Sequence, residues 1–272
     1  MNQTITALAM SISTTLAADF RPIPQRLGLI GAIFRELGRS ARATLGRQPR
    51  RERAALDFVR AEAVEGDAES VLCALDRFAR EQRFMMNLGD DKGRVLDALV
   101  AQLPLNAHVL ELGTYCGYSA VRMARLLRGG GQVVSIEANR RHARIAQAIC
   151  QFAGVEDQVR ILVGESGTII PTLTGPFDLV LMDHNKDEYL VDLWRIEDKG
   201  LLEPGSKIVA DNVGPLFDAR EYLKYVRTNP YNPYRSHYVE SRLEYYEAHP
   251  DGMEISVRLS AGQGDSPSLG TG

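Results

Sequence analysis

The sequence predicts a doubly wound α/β fold, in which an open, mostly parallel sheet carries helices on both faces. From Arg53 onward, helical and strand-like patterns alternate along the chain, which is typical of such sheets. Four of the first five strand-like runs are short and rich in Val, Ile and Leu. They lack clean alternation of polar and apolar residues, which indicates strands that are buried on both faces.

Seven strands and at least four helices are expected in this part of the chain. The strand-like runs are 108–112, 132–137, 159–163, 179–183, 207–210, a poorly defined segment near 237–243, and 253–259. The helix-like runs are 54–60, 70–84, 92–102 and 120–127. Of the 272 residues, 44% are hydrophobic, which suits one domain with a large core.

Three segments differ in composition: an N-terminal arm, 1–52, a main domain, 53–261, and a tail, 262–272. Residues 1–53 contain nine Arg and three acidic residues, a net charge of +6. Ile30, Ile33, Phe34 and Leu37 fall near helical spacing, so the arm is a candidate amphipathic helix. It could contact an anionic membrane surface through 20–50, pack on the main domain or on a second subunit, or serve as a targeting segment. The Gly- and Ser-rich tail is expected to be disordered.

Composition also excludes several classes of protein. The whole chain has a net charge of −3, so the part after the arm is acidic and is not expected to bind nucleic acid. The three cysteines lack the paired spacing of a zinc site or a disulfide framework. No apolar run near the N-terminus approaches the ~20 residues of a spanning helix, and no basic residue precedes Asp19 to begin a signal peptide. A cytoplasmic protein is therefore expected, with peripheral membrane contact as an open alternative for the arm; the oligomeric state is not predicted.

A glycine turn follows the first strand and leads directly into a helix, where free backbone N–H groups can hold an anion. Tyr115 stands where a dinucleotide fingerprint needs glycine, which disfavours a pyrophosphate and leaves a carboxylate. Glu137 ends the second strand 24 residues after Gly113, near the spacing at which an acidic residue meets ribose hydroxyls. A nucleoside that carries a carboxylate and no phosphate is S-adenosylmethionine. A glycine turn and a strand-end acid also occur together for structural reasons alone.

The fourth and fifth strands both end in polar groups, with Asp183 after one and Asp211 and Asn212 after the other. The carboxyl ends of parallel strands share one edge of the sheet, so these side chains are expected to converge. Carboxylate and amide oxygens suit Mg²⁺. The alternative is that both aspartates only cap the helices that follow them.

Lys186 lies three residues after Asp183. Beside a bound cation and partly buried, its amine would be favoured in the neutral form that accepts a proton. The alternative is a solvated surface lysine. A serine hydrolase is excluded because Gly164, Glu165, Ser166 and Gly167 are one residue short of a nucleophile elbow.

Two segments resemble the catechol O-methyltransferase family. They are Leu-Glu-Leu-Gly-Thr-Tyr-Cys-Gly-Tyr-Ser-Ala-Val-Arg-Met-Ala-Arg-Leu-Leu at 110–127 and Ala-Asp-Asn-Val at 210–213. The resemblance extends over about 53–261. It implies a Rossmann-like methyltransferase sheet of seven strands, mostly parallel with an antiparallel last strand. It also implies S-adenosylmethionine and Mg²⁺ as cofactors and a catechol-type small molecule as the acceptor.

The resemblance assigns roles to individual residues. The cofactor-binding residues would be Met86, Leu88, Gly113, Tyr115, Ser119, Glu137, Ser166, His184 and Asp183. The Mg²⁺ ligands would be Asp183, Asp211 and Asn212, with Lys186 as the general base and Glu244 as the partner of the second acceptor hydroxyl.

The chain departs from the family at three positions. Asn185 and Phe84 stand where the family usually has Trp, and Gly167 where it has Gln, so the resemblance does not define cofactor affinity or the particular acceptor. Two alternatives stay open: a methyltransferase for other vicinal diols, such as acyl-linked phenolics, and a catalytically silent, membrane-associated binding protein.

Overall fold

The computed structural model describes residues 50–228 and 233–260. The arm up to residue 49, with its expected amphipathic helix and membrane contact through 20–50, lies outside the described residues, as does the tail 262–272. Within the described ranges, no helix combines the length and apolar character needed to cross a membrane.

Eight α-helices and seven strands make up the described part of the chain. The helices are α1 (Arg51–Glu62), α2 (Ala68–Glu81), α3 (Asp90–Val100), α4 (Tyr118–Ala124), α5 (Arg140–Phe152), α6 (Ser166–Ile169), α7 (Tyr189–Asp198) and α8 (Arg220–Thr228). The strands are β1 (His108–Leu112), β2 (Gln132–Glu137), β3 (Val159–Val163), β4 (Leu179–Met182), β5 (Lys207–Ala210), β6 (Tyr234–Leu243) and β7 (Tyr246–Arg258). Two 3₁₀ turns, Ile170–Thr172 and Lys186–Glu188, precede β4 and α7.

The strands form one sheet in the order β3-β2-β1-β4-β5-β7-β6. β1 to β5 are parallel, whereas β7 runs antiparallel to both β5 and β6. The predicted fold class, with its mostly parallel sheet of seven strands, is confirmed.

Neighbouring residues of the central strands face two separate cores. Val109 of β1 packs in a core formed with α1 to α5, whereas Leu110 packs in a second core with α7 and α8. Both side chains are fully buried. Because each central strand is covered on both faces, its apolar run shows no polar alternation.

Several boundaries differ from the sequence prediction by one to three residues, and the start of β7 differs by seven. Helix α2, predicted to reach residue 84, ends at Glu81, and the chain then runs without regular structure to α3. Strand β7 begins at Tyr246 instead of residue 253, because β6 and β7 form a long hairpin whose pairing continues to Leu243 and Tyr246. Pro250, Asp251 and Gly252 are unfavourable in strands and conceal this extension in the sequence.

The carboxyl ends of β1, β4 and β5 lie side by side because these strands are neighbours in the sheet. Gly113 follows β1 with φ of +100°, and a Cβ atom there would lie 2.4 Å from the backbone oxygen of Asp183. Glycine is therefore required for the chain after β1 to approach the chain after β4 this closely.

The substitution Gly113→Ala tests this close approach. It combines an unfavourable φ with a backbone clash, and we expect it to lower the free energy of unfolding by more than about 3 kcal/mol. The matched control is Gly66→Ala, at φ of +80° with open space around the added atom, for which about 1–2 kcal/mol is expected. Urea unfolding measures both, and equal losses would show that the close approach has no energetic cost.

Candidate active site

Tyr189 joins the ends of β4 and β5. Its buried hydroxyl donates to the backbone oxygens of Met182, at 2.6 Å, and of Asp211, at 3.0 Å. The backbone N–H of Asp211 also donates to Met182 at 3.0 Å. These bonds fix the direction in which both chains leave the sheet, so Asp183 and Asp211 lie at the same edge, as predicted.

Asp211 has one carboxylate oxygen in use and one available. Its Oδ1 accepts a hydrogen bond of 2.6 Å from Lys92, whereas its buried Oδ2 has no hydrogen-bond partner among the described residues. Asn212 has a left-handed backbone, with φ of +53°. Its Nδ2 donates to Glu244 and Asp251, at 2.9 and 2.8 Å, which leaves its amide oxygen as an acceptor. An unpartnered buried carboxylate oxygen beside an amide oxygen suits a hard divalent cation.

Lys186 begins the 3₁₀ turn after β4, beside Asp183. Its Nζ lies 3.3 Å from Asp183 Oδ1 and 3.2 Å from the backbone oxygen of His184. The ammonium group also lies 5.2 Å from the ring centre of Tyr189 and 5.7 Å from that of Phe217. Its side chain is 17% exposed, so Lys186 is not a freely solvated lysine.

Lys92, which no sequence pattern indicated, lies at the centre of the acidic cluster. Its side chain is 1% exposed, and its Nζ pairs with Asp211 at 2.6 Å, with Asp251 at 2.8 Å and with Glu244. The backbone N–H of Gly214 holds the other oxygen of Asp251 at 3.1 Å. The predicted acceptor partner, Glu244, is therefore tied to the predicted metal ligand, Asp211, through one ammonium group.

Three of the four carboxyl groups at this edge bind protons more tightly than usual. Burial raises the pKa of Asp183 to about 6 and that of Asp211 to about 7, against the lowering effect of Lys186 and Lys92 respectively. Burial likewise raises the pKa of Glu244. Burial also acts against ionised Asp251, but Lys92 and Asn212 outweigh it, and the pKa of Asp251 is lowered.

The Glu137 carboxylate accepts hydrogen bonds from two backbone N–H groups, one of them in the turn after β1. One of its oxygens accepts the backbone N–H of Tyr115 at 2.8 Å, and the other accepts that of Asn139 at 2.8 Å. Tyr115 has a left-handed backbone, with φ of +48°, and its hydroxyl donates to Glu52 at 3.2 Å. Glu137 thus lies beside the glycine turn, where a strand-end acid was predicted.

Glu111 is a second buried carboxylate in this half of the site, and it was not among the predicted site residues. It is fully buried in β1 and accepts hydrogen bonds from the hydroxyls of Ser119 and Ser135. Burial raises its pKa to about 7, although both serines act to lower it. The sequence feature that could have indicated Glu111 is its position as a carboxylate within an otherwise apolar strand. Ser119, a predicted cofactor residue, is held by this carboxylate at the start of α4.

His184 and Ser166 belong to a hydrogen-bonded group around buried Asp192. His184 Nε2 lies 2.8 Å from Asp192, and its buried Nδ1 has no hydrogen-bond partner within the described ranges. Burial opposes ionised Asp192, but bonds from His184, Ser166 and Arg195 outweigh it and lower its pKa. A Cβ atom at Gly167 would lie 2.9 Å from the guanidinium carbon of Arg195. Arg195 therefore occupies the space that a side chain at position 167 would need.

The segment between α2 and α3 covers the acidic cluster from one side. Leu88 is buried and Met86 half-buried, and a Cβ atom at Gly89 would lie 3.4 Å from the Glu244 side chain. Leu88 and Glu244 also line a cavity of about 320 Å³. Asn185, by contrast, is exposed.

The sheet order, with acidic residues at the ends of β2, β4 and β5, is that of a Rossmann-like fold. An O-methyltransferase from Bacillus cereus, solved in complex with SAH, superposes with a TM-score of 0.59, at 22% identity over 70% of this chain and 90% of that one. The O-methyltransferase family model matches residues 62–217, and the chain belongs to this family of enzymes.

Two relatives within the family are similar over most of their length. Catechol O-methyltransferase B of Danio rerio is 44% identical over 75% of this chain and 77% of its own. Catechol O-methyltransferase of Mus musculus is 40% identical over 80% of this chain and 81% of its own. The predicted resemblance is confirmed.

The raised pKa of Glu111 gives a testable pH dependence of stability. Its carboxyl binds a proton more tightly in the folded than in the unfolded protein, so its contribution is fully present below pH 4.5 and is lost as the pH rises through about 7. We expect Glu111→Gln, which cannot ionise, to reduce the fall in unfolding free energy between pH 5 and 8. Urea unfolding at several pH values measures the difference, and the same slope in both proteins would contradict the assignment.

Proposed function

We propose that the protein transfers a methyl group from S-adenosylmethionine to one hydroxyl of a catechol-type small molecule, with Mg²⁺ as cofactor. The names of the two vertebrate relatives support the acceptor class. The observation that carries the proposal is the buried, unpartnered Oδ2 of Asp211 beside Asp183, Asn212 and Lys186. In the proposal, Asp183, Asp211 and Asn212 hold the cation.

When bound, Mg²⁺ would supply positive charge that favours the ionised form of an acceptor hydroxyl. The chain's own residues provide the remaining chemistry. Glu244 has one oxygen engaged by Lys92 and Asn212, and its second oxygen is proposed to accept a hydrogen bond from the neighbouring acceptor hydroxyl. This contact would select acceptors with two adjacent hydroxyls.

Lys186 is the proposed general base. Its Nζ, in the neutral form, takes the proton of the reacting hydroxyl. The resulting oxygen anion forms a bond to the methyl carbon while the bond from that carbon to sulfur breaks, and the sulfonium becomes a neutral thioether. Positioning of the reacting groups contributes most of the acceleration in such a transfer. The hydrogen bonds from Lys186 to Asp183 and His184 hold the base in position.

The turn after β1 is proposed to hold the cofactor. Gly113, Tyr115 and Ser119 would contact its methionine end, and Glu137 its ribose. Ser166 and His184 would contact the adenine, for which the unpartnered Nδ1 of His184 is a suitable atom. Met86, Leu88 and Asp183 would complete this pocket.

A methyl-transfer assay tests the proposed function directly. Catechol should be methylated in the presence of Mg²⁺ and not after chelation, whereas 2-methoxyphenol, which lacks the second free hydroxyl, should be a poor acceptor. Turnover of acyl-linked phenolics but not of free catechols would favour the related methyltransferase instead. Cofactor binding without turnover of either class would favour a silent binding protein.

The cation ligands are tested by Asp211→Asn, which keeps an acceptor for Lys92 but removes a charge. We expect Mg²⁺-dependent turnover to be lost while S-adenosylmethionine still binds, because the turn after β1 holds the cofactor independently. Asp198→Ala, an exposed change at the end of α7, is the control. Calorimetry measures cofactor binding, and normal turnover of Asp211→Asn would remove Asp211 from the cation site.

The base is tested by Lys186→Ala. Loss of a positioned base should slow turnover by roughly 10²–10⁴-fold, and the residual rate should rise with more acidic catechols, which need less help to ionise. Lys199→Ala removes an exposed lysine and should have no effect. A loss of less than about threefold would show that Lys186 is not the base.

A further inference from the structure

Lys92 holds three carboxylates that come from distant parts of the chain. It lies in the first turn of α3, whereas Asp211 follows β5, Glu244 lies between β6 and β7, and Asp251 lies within β7. An ammonium group has three hydrogen-bond donors, and each has one carboxylate oxygen to bind. The buried ammonium is thus completely coordinated by protein.

The bonds from Lys92 determine which carboxylate oxygens are left available to other partners. Because Lys92 takes Oδ1 of Asp211 and Oε1 of Glu244, Oδ2 of Asp211 is left without a partner among the described residues. A buried charge is retained only where its partners compensate its lost hydration. Lys92 therefore has little freedom to move, and neither have the two carboxylates that it orients.

The same three carboxylates also have the geometry of a metal site. One ligand atom from each of Asp211, Glu244 and Asp251 lies within 4.8 Å of the others. The ammonium of Lys92 contacts all three groups, so it takes the place that a cation would have in this cluster. With all groups ionised, the four residues together carry a charge of −2, which one divalent cation on Asp211 would neutralise.

We propose that Lys92 is a positioning residue that acts as a built-in cation. It reserves Oδ2 of Asp211 for a single divalent cation and prevents Glu244 and Asp251 from binding a second one. This inference rests on the proposed function for the first cation only. A second cation at Glu244 would remove the oxygen proposed to meet the acceptor hydroxyl, so Lys92 also protects acceptor binding.

The experiment counts bound Mn²⁺, a paramagnetic substitute for Mg²⁺, by the loss of its free electron paramagnetic resonance signal. Wild-type protein should take up one Mn²⁺ per chain, and Lys92→Met should take up two. In Lys92→Met/Asp251→Asn, which removes one carboxylate, the number should return to one. Arg94→Met is the matched control, because it removes an exposed cation from the same helix, and it should bind one.

The outcomes separate this inference from the proposed function. One Mn²⁺ in Lys92→Met would overturn the inference and leave the proposed cation site intact. No Mn²⁺ in wild type but one in Lys92→Met would overturn the proposed cation site, and with it the reservation of Oδ2, but would support the exclusion of a cation from Glu244 and Asp251 by Lys92. If Lys92 had only a structural role, Lys92→Met would be less stable than the wild type but would bind the same number of cations.

Lys92→Met leaves three carboxylates without a counter-charge, so its folding is checked by thermal unfolding. Mn²⁺ should raise its unfolding temperature more than that of the wild type, because binding to the folded state is stabilising. If Lys92→Met does not fold, Lys92→Gln, which retains two amide donors, is titrated in its place, and two bound Mn²⁺ are again expected. The proposal would be contradicted if Mn²⁺ raised the unfolding temperature of the variant and of the wild type equally and both bound the same number of Mn²⁺ ions.

Discussion

The ion cluster around Lys92 constrains the arrangement of the whole acidic edge. Its contacts join residues that are 119, 152 and 159 positions apart in sequence. They connect α3 to the end of β5 and to the β6–β7 hairpin, two regions that the antiparallel pairing of β5 with β7 also joins. Removing one partner of such a buried cluster typically costs about 3–5 kcal/mol. The positions of Asp211 and Glu244 therefore depend on correct packing of all three regions.

The candidate site also concentrates backbone conformations that side chains rarely adopt. Within the described residues, four that are not glycine have positive φ, and three of them, Tyr115, Asn212 and Tyr245, lie in or beside the site. Each costs about 1–3 kcal/mol and persists only where surrounding contacts impose it. Tyr115 is held by Glu137, and Asn212 by Glu244 and Asp251. The hydrogen bonds that bring these side chains together thus also maintain the unusual backbone.

Strand ends were the most predictable part of the molecule. The runs 108–112, 132–137, 159–163 and 207–210 have the predicted bounds, because each is a short run rich in Val, Ile or Leu. Asp183, Asp211 and Asn212 could be predicted as neighbours because parallel strands bring their carboxyl ends to one edge.

Lys92 and Asp251 could not be predicted in this way. Lys92 follows Asp90 and Asp91 and precedes Arg94, a pattern that indicates a solvated helix start. Asp251 lies between Pro250 and Gly252, which suggests a turn rather than a strand. Their roles depend on packing between elements, which local patterns do not contain.

The first residues of α1 place the end of the N-terminal arm close to the proposed cofactor pocket. Arg51 is buried, with its guanidinium 5.6 Å from the ring centre of Tyr115 and 5.8 Å from that of Phe84, and Glu52 accepts the Tyr115 hydroxyl. The arm therefore joins the domain beside the proposed cofactor pocket. A shortened protein that begins at Arg53 would lose contacts to the pocket as well as the arm. A pulling force on the arm would reach Arg51 and Glu52 at the start of α1, and through them the contacts to Tyr115.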